Sequence, residues 1–128
     1  MKHDLLSDVF YVMNNAETYG KNDCTVPASN LVKSVLMVMQ KHNYIGSFEF
    51  IADGRQGLFK IELIGKINKS RAVRPRFPVK KGEYEKWEQR YLPAKDIGLL
   101  IISTPKGVMS QKEAEHKGSG GRLLGYVY

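Results

Sequence analysis

The stretch IGLLIISTPKG, residues 97–107, decides the fold of the second half of the chain. Residues 97–102 are apolar apart from Gly98, and a short continuous apolar run predicts a buried strand. Residues 103–107 have the composition of a loop, so two hydroxyls and a lysine are expected directly after that strand.

The residues that follow this loop predict one helix and one strand. Ser110 and Glu113 have the spacing of a capping box, which predicts a short helix that ends at Gly118. Residues 122–128 follow Gly120-Gly121 and predict a final strand. The second half is therefore expected to be a β-rich sheet with one short helix.

The segment before the apolar run is less regular. Residues 74–78, RPRFP, cannot form a central strand because proline donates no ladder hydrogen bond. Tyr84, Trp87 and Tyr91 follow at i, i+3 and i+7, which fits either a short helix or an aromatic anchor before Pro93. Packing is favoured over base stacking for these three rings, because aromatics at helical spacing usually lie in a core.

The first half has the pattern α-β-α-β-β. Asp4 can cap a first helix, and Ser29 opens a second one after a β-prone run that contains Cys24. Residues 48–63 alternate apolar and polar side chains around a glycine-containing turn, as a half-buried hairpin does. We therefore predict an α+β fold of two small packed lobes, residues 1–65 and residues 66–128, with the boundary near Gly65.

The charge of the chain is unevenly distributed. The net charge is +7, with −1 over residues 1–65 and +8 over residues 66–128. Between residues 66 and 82 there are seven basic residues and no acid: Lys66, Lys69, Arg71, Arg74, Arg76, Lys80 and Lys81. Such a stretch indicates a polyanionic partner, and the alternative is a solubilising loop.

Composition excludes several classes of protein. The apolar fraction of 42% is too high for a disordered tail, and no apolar run approaches the roughly 20 residues of a membrane span. Asp4 and Asp8 argue against a signal peptide. The single cysteine, Cys24, cannot form an internal disulfide, so a reducing compartment, the cytoplasm, is expected.

Few residues suggest catalysis. The three histidines are scattered, and no metal-binding spacing is present, so we expect no metal, no cofactor and no catalytic residue. Cys24 is expected to be a small core residue rather than a nucleophile.

The segment from Ser103 to Arg122 is the candidate binding site. Hydroxyls can bond to the ribose 2′-OH groups and base edges in the shallow minor groove of double-stranded RNA. Gly107 permits unusual backbone angles, Gly120-Gly121 allow another backbone to approach, and Arg122 adds a planar donor group. An ordinary capped strand-loop-helix is the alternative, and the adjacent positive charge favours RNA.

The chain resembles a known family. The residues STPKGVMS (103–110), then Gly120-Gly121-Arg122-Leu123-Leu124 and a final Tyr126-Val127-Tyr128, resemble the C-terminal signature of universal small-subunit ribosomal protein eight. Residues 74–78 resemble the archaeal and eukaryotic branch. Two residues depart from the pattern: Leu5 replaces the proline of the family's opening, and Pro105 replaces a serine of the bacterial signature, which removes a hydroxyl and an N–H.

The resemblance implies a structural protein of the small ribosomal subunit. It would be a primary binder of the ribosomal RNA of the central domain, would contact neighbouring ribosomal proteins, and in some members represses its own messenger RNA. The family's RNA contacts fall on Ser103, Thr104, Pro105, Lys106, Gly107, Gly120, Gly121 and Arg122, and in the N-terminal lobe on Lys2 and Asp4. From their charge, Arg74 and Arg76 are added as phosphate contacts.

Two other functions compete with RNA binding. A small enzyme could use residues 103–107 to bind a phosphate, but a base and the glycines of a Walker motif are missing. A DNA-binding protein would need a helix for the major groove, and neither long helix has a dense basic face.

Overall fold

The computed structural model describes residues 5–128. Within them the protein is mixed α+β, as predicted, with four helices and two antiparallel sheets. The chain divides between Ser70 and Arg71 into two compact units, called unit 1 and unit 2 below.

Unit 1 has the predicted order α-β-α-β-β. Its sheet has the strand order β1-β3-β2, and all pairings are antiparallel. The elements are α1 (Leu5–Thr18), β1 (Asp23–Pro27), α2 (Asn30–Lys41), β2 (Ile45–Ile51) and β3 (Leu58–Leu63).

Local chemistry sets the helix ends in unit 1. The Ser29 side chain accepts a hydrogen bond from the Val32 N–H at 3.1 Å, which confirms it as the N-cap of α2. Asn43 adopts a left-handed φ of 63° just after α2, where asparagine is tolerated. Alternate residues of β1 and β3 are buried, and α1 packs on β1 while α2 packs on β2. The proposed cap at Asp4 lies outside the described residues.

Residues 66–70 are attached to α1. The Asn14 side chain donates to the Ser70 carbonyl at 2.6 Å and accepts from the Ser70 N–H at 2.9 Å. The Glu17 carboxylate accepts from the Ile67 N–H at 3.0 Å. Because these bonds hold the segment to the first helix, Lys66 and Lys69 belong to unit 1.

Unit 2 is the β-rich part of the chain. Its sheet has the order β4-β8-β6-β7, and β5 also pairs with β8. The elements are β4 (Ser70–Ala72), which begins at the last residue of unit 1, β5 (Pro78–Val79), α3 (Tyr84–Tyr91), β6 (Leu99–Thr104), β7 (Gly107–Ser110), α4 (Gln111–His116) and β8 (Gly121–Val127).

The helices of unit 2 confirm several expectations. Tyr84, Trp87 and Tyr91 lie on a true helix, and Tyr84 and Trp87 are buried in the core, as the preference for packing predicted. The Ser110 side chain accepts from the Glu113 N–H at 3.3 Å, so the predicted cap of α4 is confirmed.

The prediction of a loop at residues 103–107 is correct only for Pro105 and Lys106, which form a turn, and is wrong for the other three residues. The central strand runs from Leu99 to Thr104 rather than from Ile97 to Ile102, because Gly98 takes a positive φ of 83° and Ile97 is 51% exposed. Ser103 and Thr104 are therefore strand residues, and Gly107 already begins the next strand.

Candidate nucleic-acid interface

A tight hairpin joins β6 to β7. Thr104 pairs with Gly107, which leaves only Pro105 and Lys106 in the turn. The Thr104 hydroxyl donates to the Gly107 carbonyl at 2.8 Å and accepts from the Lys106 N–H at 3.1 Å. Pro105 fixes a negative φ, so the positive φ that the reversal needs, 123°, falls on Gly107. Thr104 is 8% exposed and thus closes the turn from inside.

Ser103 lies in a row of side chains that crosses four strands. It pairs with Val108 on β7 and with Arg122 on β8, and Arg122 pairs with Pro78 on β5. Paired residues of antiparallel strands point to the same face, so these four side chains, called the cross-strand row below, form one line. All four are exposed or half-buried. The Ser103 hydroxyl has no hydrogen-bond partner among residues 5–128.

Gly120 and Gly121 allow backbones to approach, as their sequence indicated. A Cβ on Gly121 would lie 2.3 Å from the Ser103 carbonyl oxygen, and one on Gly120 would lie 2.6 Å from the Val79 carbonyl oxygen. No side chain fits at either position. The two glycines therefore let β8 lie against β5 and β6, which brings Arg122 beside Ser103.

The loop of residues 74–77, called the basic loop below, is fastened to β8. The Arg122 guanidinium donates to the Arg76 carbonyl at 3.2 Å, and the Leu123 N–H donates to the Phe77 carbonyl at 3.0 Å. Arg74 and Arg76 are exposed in this loop. The structure thus brings Arg76 next to the cross-strand row, and Arg74 lies further along the same loop.

The electrostatics of unit 2 are strongly positive. Residues 71–128 contain twelve Lys/Arg and six Asp/Glu, a net charge of +6. An ion pair in this unit joins Lys112 to Asp96 at 3.0 Å, and the hydrogen bond and charge of Lys112 lower the pKa of the Asp96 carboxyl. Lys106 is exposed in the turn of the hairpin, and Arg76 and Arg122 are exposed next to it, which makes this end of the sheet suited to an anion.

Five aromatic rings form a stacked column in unit 2, which the sequence did not reveal. Successive ring centroids lie 5.0 to 6.3 Å apart, with interplanar angles of 6° to 27°. In order, the column contains Phe77, Trp87, Tyr91, Tyr126 and Tyr128. Tyr126, in β8, and Tyr128, directly after it, are two residues apart, and this spacing was the available signal for part of the column.

The remaining residues singled out by the sequence are Lys2, Asp4 and Cys24. Lys2 and Asp4 lie outside the described residues. Cys24 is buried, as expected, and burial raises the pKa of its thiol to about 11, with smaller effects from Asp23 and Glu17. Residues 5–128 contain no group of His, Cys, Asp or Glu that could hold a metal ion, and no helix among them could cross a membrane.

The fold and this end of the unit 2 sheet define a class of small two-unit α+β proteins with a cationic surface suited to nucleic acid. Residues 4–128 match the family model described as "Ribosomal protein S8", and the chain belongs to that family. It is 51% identical over 126 residues to the protein "Small ribosomal subunit protein uS8" from Methanococcoides burtonii (strain DSM 6242 / NBRC 107633 / OCM 468 / ACE-M). That similarity covers 98% of this chain and 97% of the relative.

Membership of the family settles the general role. The chain is a structural, non-enzymatic protein of the small ribosomal subunit, and its place is the cytoplasmic ribosome. Its partners are small-subunit ribosomal RNA and ribosomal proteins.

Proposed function

We propose that the chain is a primary binder of central-domain small-subunit ribosomal RNA, and that it binds through the end of the unit 2 sheet at which the hairpin and the cross-strand row lie. The observation that carries the proposal is the cross-strand row beside the hairpin. It combines the Ser103 hydroxyl, which has no partner among residues 5–128, with the exposed guanidinium of Arg122, and Arg76 and Lys106 add exposed cations next to it.

The row suits the minor groove of an RNA helix. Ser103 has a short side chain on a paired strand, so its hydroxyl loses little conformational freedom on binding. It can donate to or accept from a 2′-OH or a base edge. Pro105 offers neither a hydroxyl nor an N–H, so in this chain the tip of the turn contributes the carbonyl of Pro105 and the ammonium group of Lys106.

The cations supply the affinity. Lys106, Arg74 and Arg76 reach the phosphates on either side of the groove, and this attraction is largely independent of sequence. Arg122 already donates to the Arg76 carbonyl, and a guanidinium has further donors free for RNA. Gly107, Gly120 and Gly121 contribute their backbone and the absence of side chains.

Binding of this kind would promote assembly of the subunit, because a folded protein bound to an RNA helix stabilises the geometry of that helix. We also propose repression of the protein's own messenger RNA by the same surface. Recognition by shape and 2′-OH groups accepts any RNA helix of the same shape. The messenger leader should then compete with the ribosomal helix for one site.

A binding titration tests the proposal. The ligands are the central-domain RNA helix, a DNA duplex of matched sequence and a free nucleoside triphosphate. The RNA should bind far more tightly than the DNA, and the nucleotide should not bind. Equal affinity for the two duplexes would indicate a DNA-binding protein or a purely electrostatic interaction. Tight nucleotide binding would support the alternative of an enzyme that binds a phosphate with residues 103–107.

A further inference from the structure

We infer that Arg90, on α3, is a positioning residue for RNA binding, which holds the basic loop in place through the ring of Phe77. This role rests on the proposed function, in which Arg76 of that loop contacts RNA. Arg90 itself lies outside the segments that carry the family signature.

The guanidinium of Arg90 is in contact with three rings at once. Its central carbon lies 5.3 Å from the Phe77 centroid, 5.5 Å from that of Trp87 and 5.4 Å from that of Tyr91. A guanidinium is planar and weakly hydrated, so it stacks on aromatic faces in a way that an ammonium does not. Arg90 therefore lies over the first three rings of the column, and these include Phe77 of the basic loop.

Phe77 is the residue of the basic loop that Arg90 contacts. Its ring stacks on Trp87, with centroids 5.0 Å apart, while its carbonyl accepts from Leu123 on β8. The preceding residue, Arg76, has its carbonyl held by Arg122. The loop is thus fixed at its carbonyls by β8 and at its one aromatic ring by α3, and only the second attachment depends on Arg90.

Helix α3 also provides a matched control for Arg90, namely Lys86. Lys86 and Arg90 lie four residues apart on the same helical face, where like charges repel. Both lie over the Trp87 ring, Lys86 at 5.2 Å. Only Arg90 also covers Phe77, so the two cations form a natural matched pair: one touches the loop anchor and the other does not.

The test measures affinity for the central-domain RNA helix at fixed salt. We expect Arg90→Ala to weaken binding by roughly two- to five-fold, the size of a lost exposed cation–π contact. Arg90→Lys should weaken it nearly as much, because the charge remains but the planar stack is lost. Lys86→Ala, which removes the same charge from the same face, should have a clearly smaller effect. Melting temperatures should stay close to wild type, since Arg90 is exposed.

A double-mutant cycle separates positioning from a direct phosphate contact. If Arg90 acts through the loop, Arg90→Ala should have little further effect in an Arg76→Ala background. Additive losses, or wild-type affinity in Arg90→Lys, would show that Arg90 contacts RNA by charge alone and would overturn the inference. An effect of Arg76→Ala without one of Arg90→Ala would refute only the positioning role. No effect of Arg76→Ala would overturn both this role and the proposed contact of the basic loop.

Discussion

Ser103 and Thr104 are adjacent hydroxyl residues with different hydrogen-bonding environments. The Thr104 hydroxyl both donates and accepts within the turn, whereas that of Ser103 is unpaired among residues 5–128. The sequence could not separate them, because the difference depends on which residue pairs with Gly107. The signature thus contains one residue that builds the hairpin and one that is available to a ligand.

Substituting these two residues separately should give opposite results. Ser103→Ala should lower affinity for the specific RNA by about 1–2 kcal/mol, from a lost hydrogen bond, with an unchanged melting temperature. Thr104→Val should lower the free energy of unfolding by about 1–2 kcal/mol, since it leaves two backbone groups of the turn without their partner. Thermal melting and titration on both variants would check this. A stability loss in Ser103→Ala with none in Thr104→Val would reverse the assignment.

Cys24 should be unreactive in the folded protein. Because burial raises its thiol pKa to about 11, the nucleophilic thiolate is scarce at neutral pH, and a disulfide reagent should modify it only after unfolding. The same shift makes stability depend on pH. The stability that the protonated thiol contributes to the fold is fully present below the unfolded-state pKa, near 9, and is lost as the pH rises through about 11.

The test compares wild type with Cys24→Ala. The free energy of unfolding of wild type minus that of Cys24→Ala should decrease between about pH 8 and about pH 11. Rapid modification of the native protein near neutral pH would contradict the buried, protonated state.

At the scale of elements, the predictable features are those that neighbouring residues determine. Ser29 and Ser110 are identifiable as caps because a cap bonds within three residues of itself. The end of β6 is not predictable in this way, because it depends on pairing with Val108 and with Arg122 on the distant strand β8. The aromatic column joins Phe77 to rings as far along the chain as the last residue, and no local periodicity contains that information.

The basic loop gives a prediction at this scale. Arg74→Ala and Arg76→Ala should weaken binding by similar factors for matched and mismatched RNA helices, because phosphate contacts carry little sequence information. Affinities of each variant for both RNAs would be compared with wild type. A loss confined to the matched RNA would mean that the arginine reads a base, and no loss in either would remove the loop from the interface.

At the scale of the whole molecule, the two units differ in charge more than in size. Unit 1 contains eight Lys/Arg and seven Asp/Glu, against the net +6 of unit 2. The amino-acid composition of the two halves is sufficient to predict this asymmetry. The fold adds that Lys66 and Lys69 belong with unit 1, because Asn14 and Glu17 hold their segment.

The asymmetry predicts a strong dependence of RNA binding on salt. The logarithm of affinity should fall linearly with the logarithm of salt concentration, by roughly 0.7–0.9 per phosphate neutralised. Titrations between low and moderate salt would give the slope, and Arg76→Ala should reduce it by about one such contact. A flat response would contradict the electrostatic part of the proposal.

The most direct test of the central claim maps the RNA contact onto the protein. Isotope-labelled protein would be titrated with the central-domain RNA helix while backbone amide resonances are followed residue by residue. Binding through this end of the unit 2 sheet predicts that the largest shifts fall on residues 76–77, 103–108 and 120–122, with little change in the sheet of unit 1. Shifts confined to unit 1, with the hairpin and the cross-strand row unaffected, would contradict the claim.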